Sequence, residues 1–231
     1  MEKKVIVISL GGSLIVPEKV DFKFLKIFVN TLKKHTNKWK FVVVCGGGSI
    51  ARKYIELLKH EKRASEKELS LAGIKVTRLN AQILMELFGK KYANDKLPMD
   101  MKDVKNDLHK NSIVICGALR YAPNSTSDGT SAKLANFLGS EFINMTNVKG
   151  LFTANPFTNK SAKFVPYESW AKFDKRANAI KYHSGQHFVL DQKAATMIRK
   201  DKIKTYIIDA NTKNITKILQ GKKFTGTLIY G

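Results

Sequence analysis

The chain has 231 residues, 43% of them hydrophobic, which suits a single domain with a sizeable core. No apolar run approaches the roughly 18 residues of a membrane helix, and the first residues read as a strand with no cleavable leader pattern, so a cytoplasmic protein with no membrane partner is expected. There are 41 Lys+Arg against 19 Asp+Glu, net +22, but the lysines are scattered in pairs with no arginine-rich run and no patch interleaved with aromatics; the charge reads as a solvated surface that draws in anionic metabolites, not as a nucleic-acid site.

Residues 5–10 are a strand that runs into Gly11-Gly12-Ser13. Phe22, Leu25, Phe28, Val29 and Leu32 mark one face of a helix. Residues 41–44 are a short buried strand, followed at once by Gly46, Gly47 and Gly48 and then by a helix with apolar residues at 50, 54, 55 and 58. Leu79, Ile83, Leu84, Leu87 and Phe88 stripe another helix, a short helix is expected near 101–108, and 112–116 is a strand. Residues 117–129 are rich in Gly, Pro, Asn, Ser and Thr, hence a loop, and a helix over 130–138 turns Ala132, Ala135 and Leu138 inward. A strand at 141–145 and a long loop at 146–160 come next. Residues 170–179 look helical, and 186–190 lead into a helix with a small face of Ala194, Ala195 and Ile198. Strands at 203–208 and 227–230 close the chain. Cys45 and Cys116 end apolar runs and read as reduced, buried thiols.

Alternating strands and helices imply a mostly parallel sheet covered on both faces. Ligands of such sheets bind beyond the carboxyl ends of the strands, where Gly11, Gly47, Gly117 and Thr146 fall. A strand, a glycine turn and a helix bring bare backbone N–H groups up to an anion, and Arg52 stands one turn into the second such helix, in reach of a phosphate oxygen. Two phosphate-like corners on one edge suggest a site for two anionic molecules. Phosphoryl transfer needs positioning and charge neutralisation more than a nucleophile. Asp128 is placed to orient cations, and equally to cap a helix; Asp191 also precedes a helix. No Gly-x-x-x-x-Gly-Lys-Ser/Thr, His-Glu-x-x-His or paired Cys-x-x-Cys occurs. His183 and His187 have metal-ligand spacing, but Gly185 between them argues for a loop, so no metal site of protein ligands is expected.

Six pieces in order resemble the amino acid kinase superfamily, and within it the archaeal-type uridylate kinases: Ser9-Leu-Gly-Gly-Ser13, Cys45-Gly-Gly-Gly-Ser-Ile-Ala-Arg52, Ala72-Gly-Ile-Lys-Val-Thr-Arg-Leu-Asn-Ala81, Thr126-Ser-Asp128, the stretch from Thr146 to Pro156, and Val189-Leu-Asp191. The resemblance implies an αβα sandwich assembled as a homohexamer, transferring the ATP γ-phosphoryl to UMP with Mg²⁺. It implies an acceptor-binding part over roughly 1–130 and an ATP-binding part over 131–231. Carried over by position, Gly12, Ser13, Gly48, Thr146, Asn147, Phe152 and Asn155 would meet ATP. Gly47, Ser70, Gly117, Arg120, Tyr121, Thr126 and Ser127 would meet UMP. Arg52 would lie between the two phosphates, and Asp128 and Asp191 would organise the transferring group. Arg78 and Asn80 are assigned to packing or a subunit interface.

The chain departs from the family at ligand-facing positions. Ser70 replaces a usual Asp, Lys149 and Asn155 replace two more, bacterial relatives carry a lysine where Ser9 stands, and the 117–128 loop differs in length and residues. Two other readings stay open: a kinase of the same fold acting on another small phosphate or carboxylate, such as isopentenyl phosphate, or a binding or regulatory protein with a degenerate kinase site or a basic nucleic-acid partner. Against the first, no histidine lies near the glycine turn where that relative places one.

Overall fold

The computed structural model describes residues 3–60, 64–122, 126–179 and 190–231. Its centre is a seven-stranded sheet, in which β1 (Lys4–Leu10), β2 (Trp39–Cys45), β3 (Ile113–Cys116), β4 (Glu141–Met145), β7 (Tyr167–Glu168), β8 (Thr205–Ile208) and β9 (Thr227–Ile229) lie in the order β3-β2-β1-β4-β8-β9-β7. A separate hairpin pairs β5 (Leu151–Phe152) with β6 (Phe164–Val165). Neighbours in the large sheet are parallel except β8 and β9.

The central strands are apolar without alternation because both faces are covered. Ile6, Ile8 and Leu10 pack with α2 (Phe22–His35), α4 (Glu66–Phe88) and α9 (Lys213–Leu219) through Phe28, Leu32, Leu84, Phe88 and Ile215. Val7, Val42 and Phe142 face α5 (Met101–Lys110), α6 (Ser127–Phe137), α7 (Trp170–Asn178) and α8 (Gln192–Lys200) through Val104, Leu134, Phe173 and Ile198. This is the three-layer αβα sandwich. The short α1 (Gly12–Ile15) and α3 (Gly48–His60) follow the two glycine corners, with α3 packed along α4. Strand order reverses between β1 and β4, which opens the crevice at the carboxyl ends of those strands.

The structure corrects several expectations. Phe22 is 60% exposed, and Phe24 takes its place in the core; residue 22 sits about 200° around the helix from 24, off the inward stripe. Leu79 and Ile83 point out of α4, while Val76, Asn80 and Ala81 point in. The helix after the 117–126 loop begins at Ser127, not at 130, because Thr126 caps it. Elements α1, α9, β5, β6 and β7 are additions, each too short or too polar to stand out as a period. The last-but-one strand starts at Thr205 rather than 203. Cys45 and Cys116 are free and buried, and burial pushes the Cys116 thiol up to about 12, which leaves it inert. His183 and His187 fall outside the described residues.

Candidate active site

The two glycine corners interlock. Gly11 N donates to Met145 O and Gly46 N to Leu10 O, so each corner is fastened to a neighbouring strand. A Cβ on Gly12 would lie 1.9 Å from Gly48 N, and one on Gly48, whose φ is +68°, would lie 2.4 Å from Gly12 O. No side chain fits between them, so nothing screens the backbone amides that these bonds leave over at the head of one crevice. Asn80 holds the second turn from behind, its Nδ2 donating to Gly46 O at 2.8 Å. Arg78 does the same for the third corner, donating from Nε and Nη2 to the carbonyls of Ala118 and Leu119. These two residues brace the site, so their packing role is specific to it.

The crevice opens into a cleft of about 900 Å³. Of the residues predicted for the site, Gly12, Ser13, Gly47, Gly48, Arg52, Ser70, Arg120, Tyr121, Thr126, Ser127, Asp128, Thr146, Asn147, Phe152 and Asn155 all line it. Gly117 and Asp191 do not. Gly117 packs against α4, where a Cβ would lie 2.7 Å from Arg78 N, so the close approach there calls for a glycine.

Asp191 is buried behind the wall. Its Oδ1 accepts from Ala194 N at 2.7 Å, which caps α8, and its Oδ2 accepts from Thr126 Oγ1 at 2.6 Å and from Thr126 N at 3.2 Å. Asp191 is therefore a positioning residue that ties the end of the 117–126 loop to α8. The Thr126 hydroxyl spends its proton on Asp191 and accepts from Asp128 N at 3.1 Å, so it has no proton left for an acceptor molecule.

Asp128 lies in the first turn of α6 and is not its cap. Ser9, fully buried in β1, donates from Oγ to Asp128 Oδ1 at 2.7 Å. Burial pushes the Asp128 carboxyl up to about 7; the Ser9 hydrogen bond opposes this and the nearby Asp191 carboxylate adds to it. Asn144, paired in register with Ser9, is a second buried polar side chain on the cleft floor. It went unnoticed in the sequence, although an amide inside an apolar strand is a readable signal.

The basic side chains lining the cleft are Arg52, Arg120 and Arg176. Arg120 is paired with Asp100 at 2.9 Å, and Arg176, also unnoticed, with the buried Glu168 at 2.7 Å. Arg52 is in none of the ion pairs found among the described residues. Its guanidinium is thus the uncommitted charge at the helix start beside the glycine turn. On the other wall Phe152 packs on Phe164 with centroids 5.6 Å apart, and Lys149 stands 5.7 Å from the Phe152 ring. Among the described residues no cluster of His, Cys, Asp or Glu is arranged to hold a metal ion.

A bare-amide double corner at the switch of an αβα sheet, with one free arginine and one half-buried carboxyl, defines a phosphate-handling site. Residues 4–209 match the model of the amino acid kinase family, and the chain belongs to that family. It is similar to a protein named uridylate kinase from Archaeoglobus fulgidus, 33% identical over 97% of this chain and 99% of the relative. One of the same name from Thermococcus kodakarensis is 32% identical over 97% of this chain and 98% of its own. The crystal structure of the Archaeoglobus fulgidus uridylate kinase superposes with a TM-score of 0.84 over 97% of this chain and 99% of that one. A UMP kinase structure from Bacillus anthracis, 22% identical with a TM-score of 0.80 over 100% of this chain and 97% of that one, shares the fold.

Proposed function

We propose that the chain is a phosphotransferase that moves the γ-phosphoryl group of ATP to UMP, giving UDP and ADP, a step of pyrimidine nucleotide formation. The interlocked corners carry this reading. They put two sets of bare amides side by side in one cleft, which suits two phosphorylated ligands end to end. The relatives named uridylate kinase span nearly the whole chain. Acceptor contacts fall to Gly47, Ser70, Arg120, Tyr121 and Ser127, in the part before about residue 130, and donor contacts to Gly12, Ser13, Gly48, Thr146, Asn147, Phe152 and Asn155, mostly after it. Arg52 bridges the two phosphates, and Asp128 orients the cations around the transferring group. Mg²⁺ carried by ATP would supply charge neutralisation at the transferring group, with Asp128 the residue beside it.

The test is purified protein with ATP, Mg²⁺ and each nucleoside monophosphate in turn. UDP with stoichiometric ADP is expected from UMP. Turnover of a different phosphorylated acceptor in place of UMP would move the assignment; Ser70 on the acceptor wall, neutral where the family usually has a carboxylate, is the observation behind that alternative. Nucleotide-induced melting shifts without turnover would point to a regulator instead.

No helix among the described residues is long and apolar enough to cross a membrane, and we place the protein in the cytoplasm. A homo-oligomer, a hexamer by family resemblance, is supported by one surface. Tyr54, Leu57 and Leu79 are each at least half exposed and line an apolar groove between α3 and α4. Such a groove on a soluble chain marks a contact surface. Leu57→Asp with Leu79→Asp is expected to lower the mass seen by light scattering while leaving the secondary structure unchanged.

Gly12→Ala forces a methyl into the Gly48 backbone, so it is expected to cost about 2–4 kcal/mol of stability as an overpacked site with a backbone obstacle. A urea titration reads this directly.

A further inference from the structure

We propose that the edge of the sheet opposite the cleft is a docking surface for single-stranded nucleic acid, built from lysines that the fold gathers around Trp39 and Tyr92. In the sequence these lysines are isolated pairs. In the structure they share one rim. Lys3 precedes and Lys4 opens β1, Lys38 precedes Trp39 at the start of β2, and Lys90, Lys91 and Tyr92 run into the Ala93–Ile113 bridge at the start of β3. Lys33 and Lys34 lie in the last turn of α2, which comes down on the same rim, where Lys3 Nζ donates to the carbonyl of its capping residue Thr36 at 2.8 Å.

Aromatic rings sit among these charges. Lys4 Nζ is 5.9 Å from the Trp39 ring centre, and Lys33 and Lys91 share the Tyr92 ring at 4.8 and 5.8 Å. None of these seven lysines takes part in the ion pairs found among the described residues. The negative end of the α2 dipole, about half a charge, accounts for one or two of them and no more. The field is felt locally: His35, beside Lys34, is held below its usual pKa by burial and by that lysine. Seven lysines without an ion pair among the described residues, on an edge where Glu141 at the start of β4 is already paired with Lys204, are an electrostatic cost that a polyanion relieves.

The rings decide which polyanion. Flat aromatic faces between ammonium groups match the alternation of base and phosphate in a single strand. An anionic membrane suits the surface less, since Trp39 and Tyr92, the rings among these lysines, are half-buried against the core. The rim is separated from the cleft by the length of the central strands, about 20 Å, so the two surfaces are independent.

The test uses the full chain and a fluorescein-labelled single-stranded oligocytidylate, followed by anisotropy across a salt series with ATP and UMP saturating the cleft. Binding is expected to persist with the cleft filled. The variant Lys33→Glu/Lys34→Glu/Lys91→Glu is expected to weaken it about 10- to 100-fold and to flatten the slope of log K against log salt by about 2, near 0.7 per lost phosphate contact. A control, Lys160→Glu/Lys172→Glu/Lys175→Glu, carries the same charge change at lysines outside these seven and is expected to weaken binding less than threefold, with circular dichroism unchanged in both. Equal loss in the two variants would reduce the effect to net charge and overturn the inference. So would failure of the wild type to bind the strand, or binding only to phosphatidylserine vesicles.

Discussion

Replacing Arg52 by alanine is expected to lower kcat for UDP formation by roughly 10²- to 10³-fold, with a much smaller change in the KM of either substrate. The reason is the inventory of charge in the cleft. Arg120 and Arg176 are each held by a carboxylate, and Arg52 is not. A preorganised donor aimed where charge develops is worth more in the transition state than in the ground state, and losing one costs a factor of that size. Arg52→Lys keeps the charge but loses the planar fork, so it is expected to recover part of the rate and not all of it. Steady-state kinetics on the three proteins decide it; an alanine variant turning over like the wild type removes Arg52 from the chemistry.

Asp128→Asn has two opposed consequences. Turnover is expected to fall by at least about 10²-fold, because the amide cannot orient cations beside the transferring group. Stability is expected to rise, and only at high pH. The Asp128 carboxyl is raised from 3.8 to about 7 in the folded chain, so the folded state holds a proton that the unfolded state has released. Stability attached to this group is present below about pH 4 and is lost as pH climbs towards 7. The ionised form is therefore a burden at pH 8, relieved by asparagine, while at pH 4 the acid is already neutral and the substitution is nearly silent. Taking about 2 kcal/mol after allowing for partial exposure, the melting temperature at pH 8 rises by about 4–8 °C. Calorimetry at the two pH values checks the sign. The same titration predicts an acid limb near pH 7 in the wild-type rate profile, absent from the residual activity of the variant.

Much of this molecule can be read before any coordinates exist, and the boundary is physical. Strands β1 to β4 are legible because sheets buried on both faces need unbroken apolar runs, and the corners because only glycine tolerates such an approach. The cleft wall is legible from the order of motifs along the chain. What stays hidden is set by partners far away in sequence. Asp128 reads as a helix cap, but Thr126 takes that place, its hydroxyl accepting from Asp128 N and donating to Asp191, 65 residues on. Ser9 gains meaning only from Asp128, 119 residues later. The approach of Gly117 to α4 is equally hidden, since Thr77 and Arg78 lie 39 or more residues away. Leu79 and Ile83 belong to a helical stripe, but a helix with apolar residues on two sides does not announce which side the sheet will take. The lysine rim is invisible in the same way, since its members come from the starts of β1 and β2, the turn after α4 and the end of α2.

The contact between Gly12 and Gly48 also limits how the enzyme can move. With backbone pressed on backbone, and each turn hydrogen-bonded to a neighbouring strand, the donor and acceptor sides share one immovable keystone and cannot swing apart like jaws. Any shutting of the active site over its substrates then falls to segments outside this floor, such as residues 146–157 on the far wall, and changes of substrate preference can accumulate there without disturbing the phosphate seat.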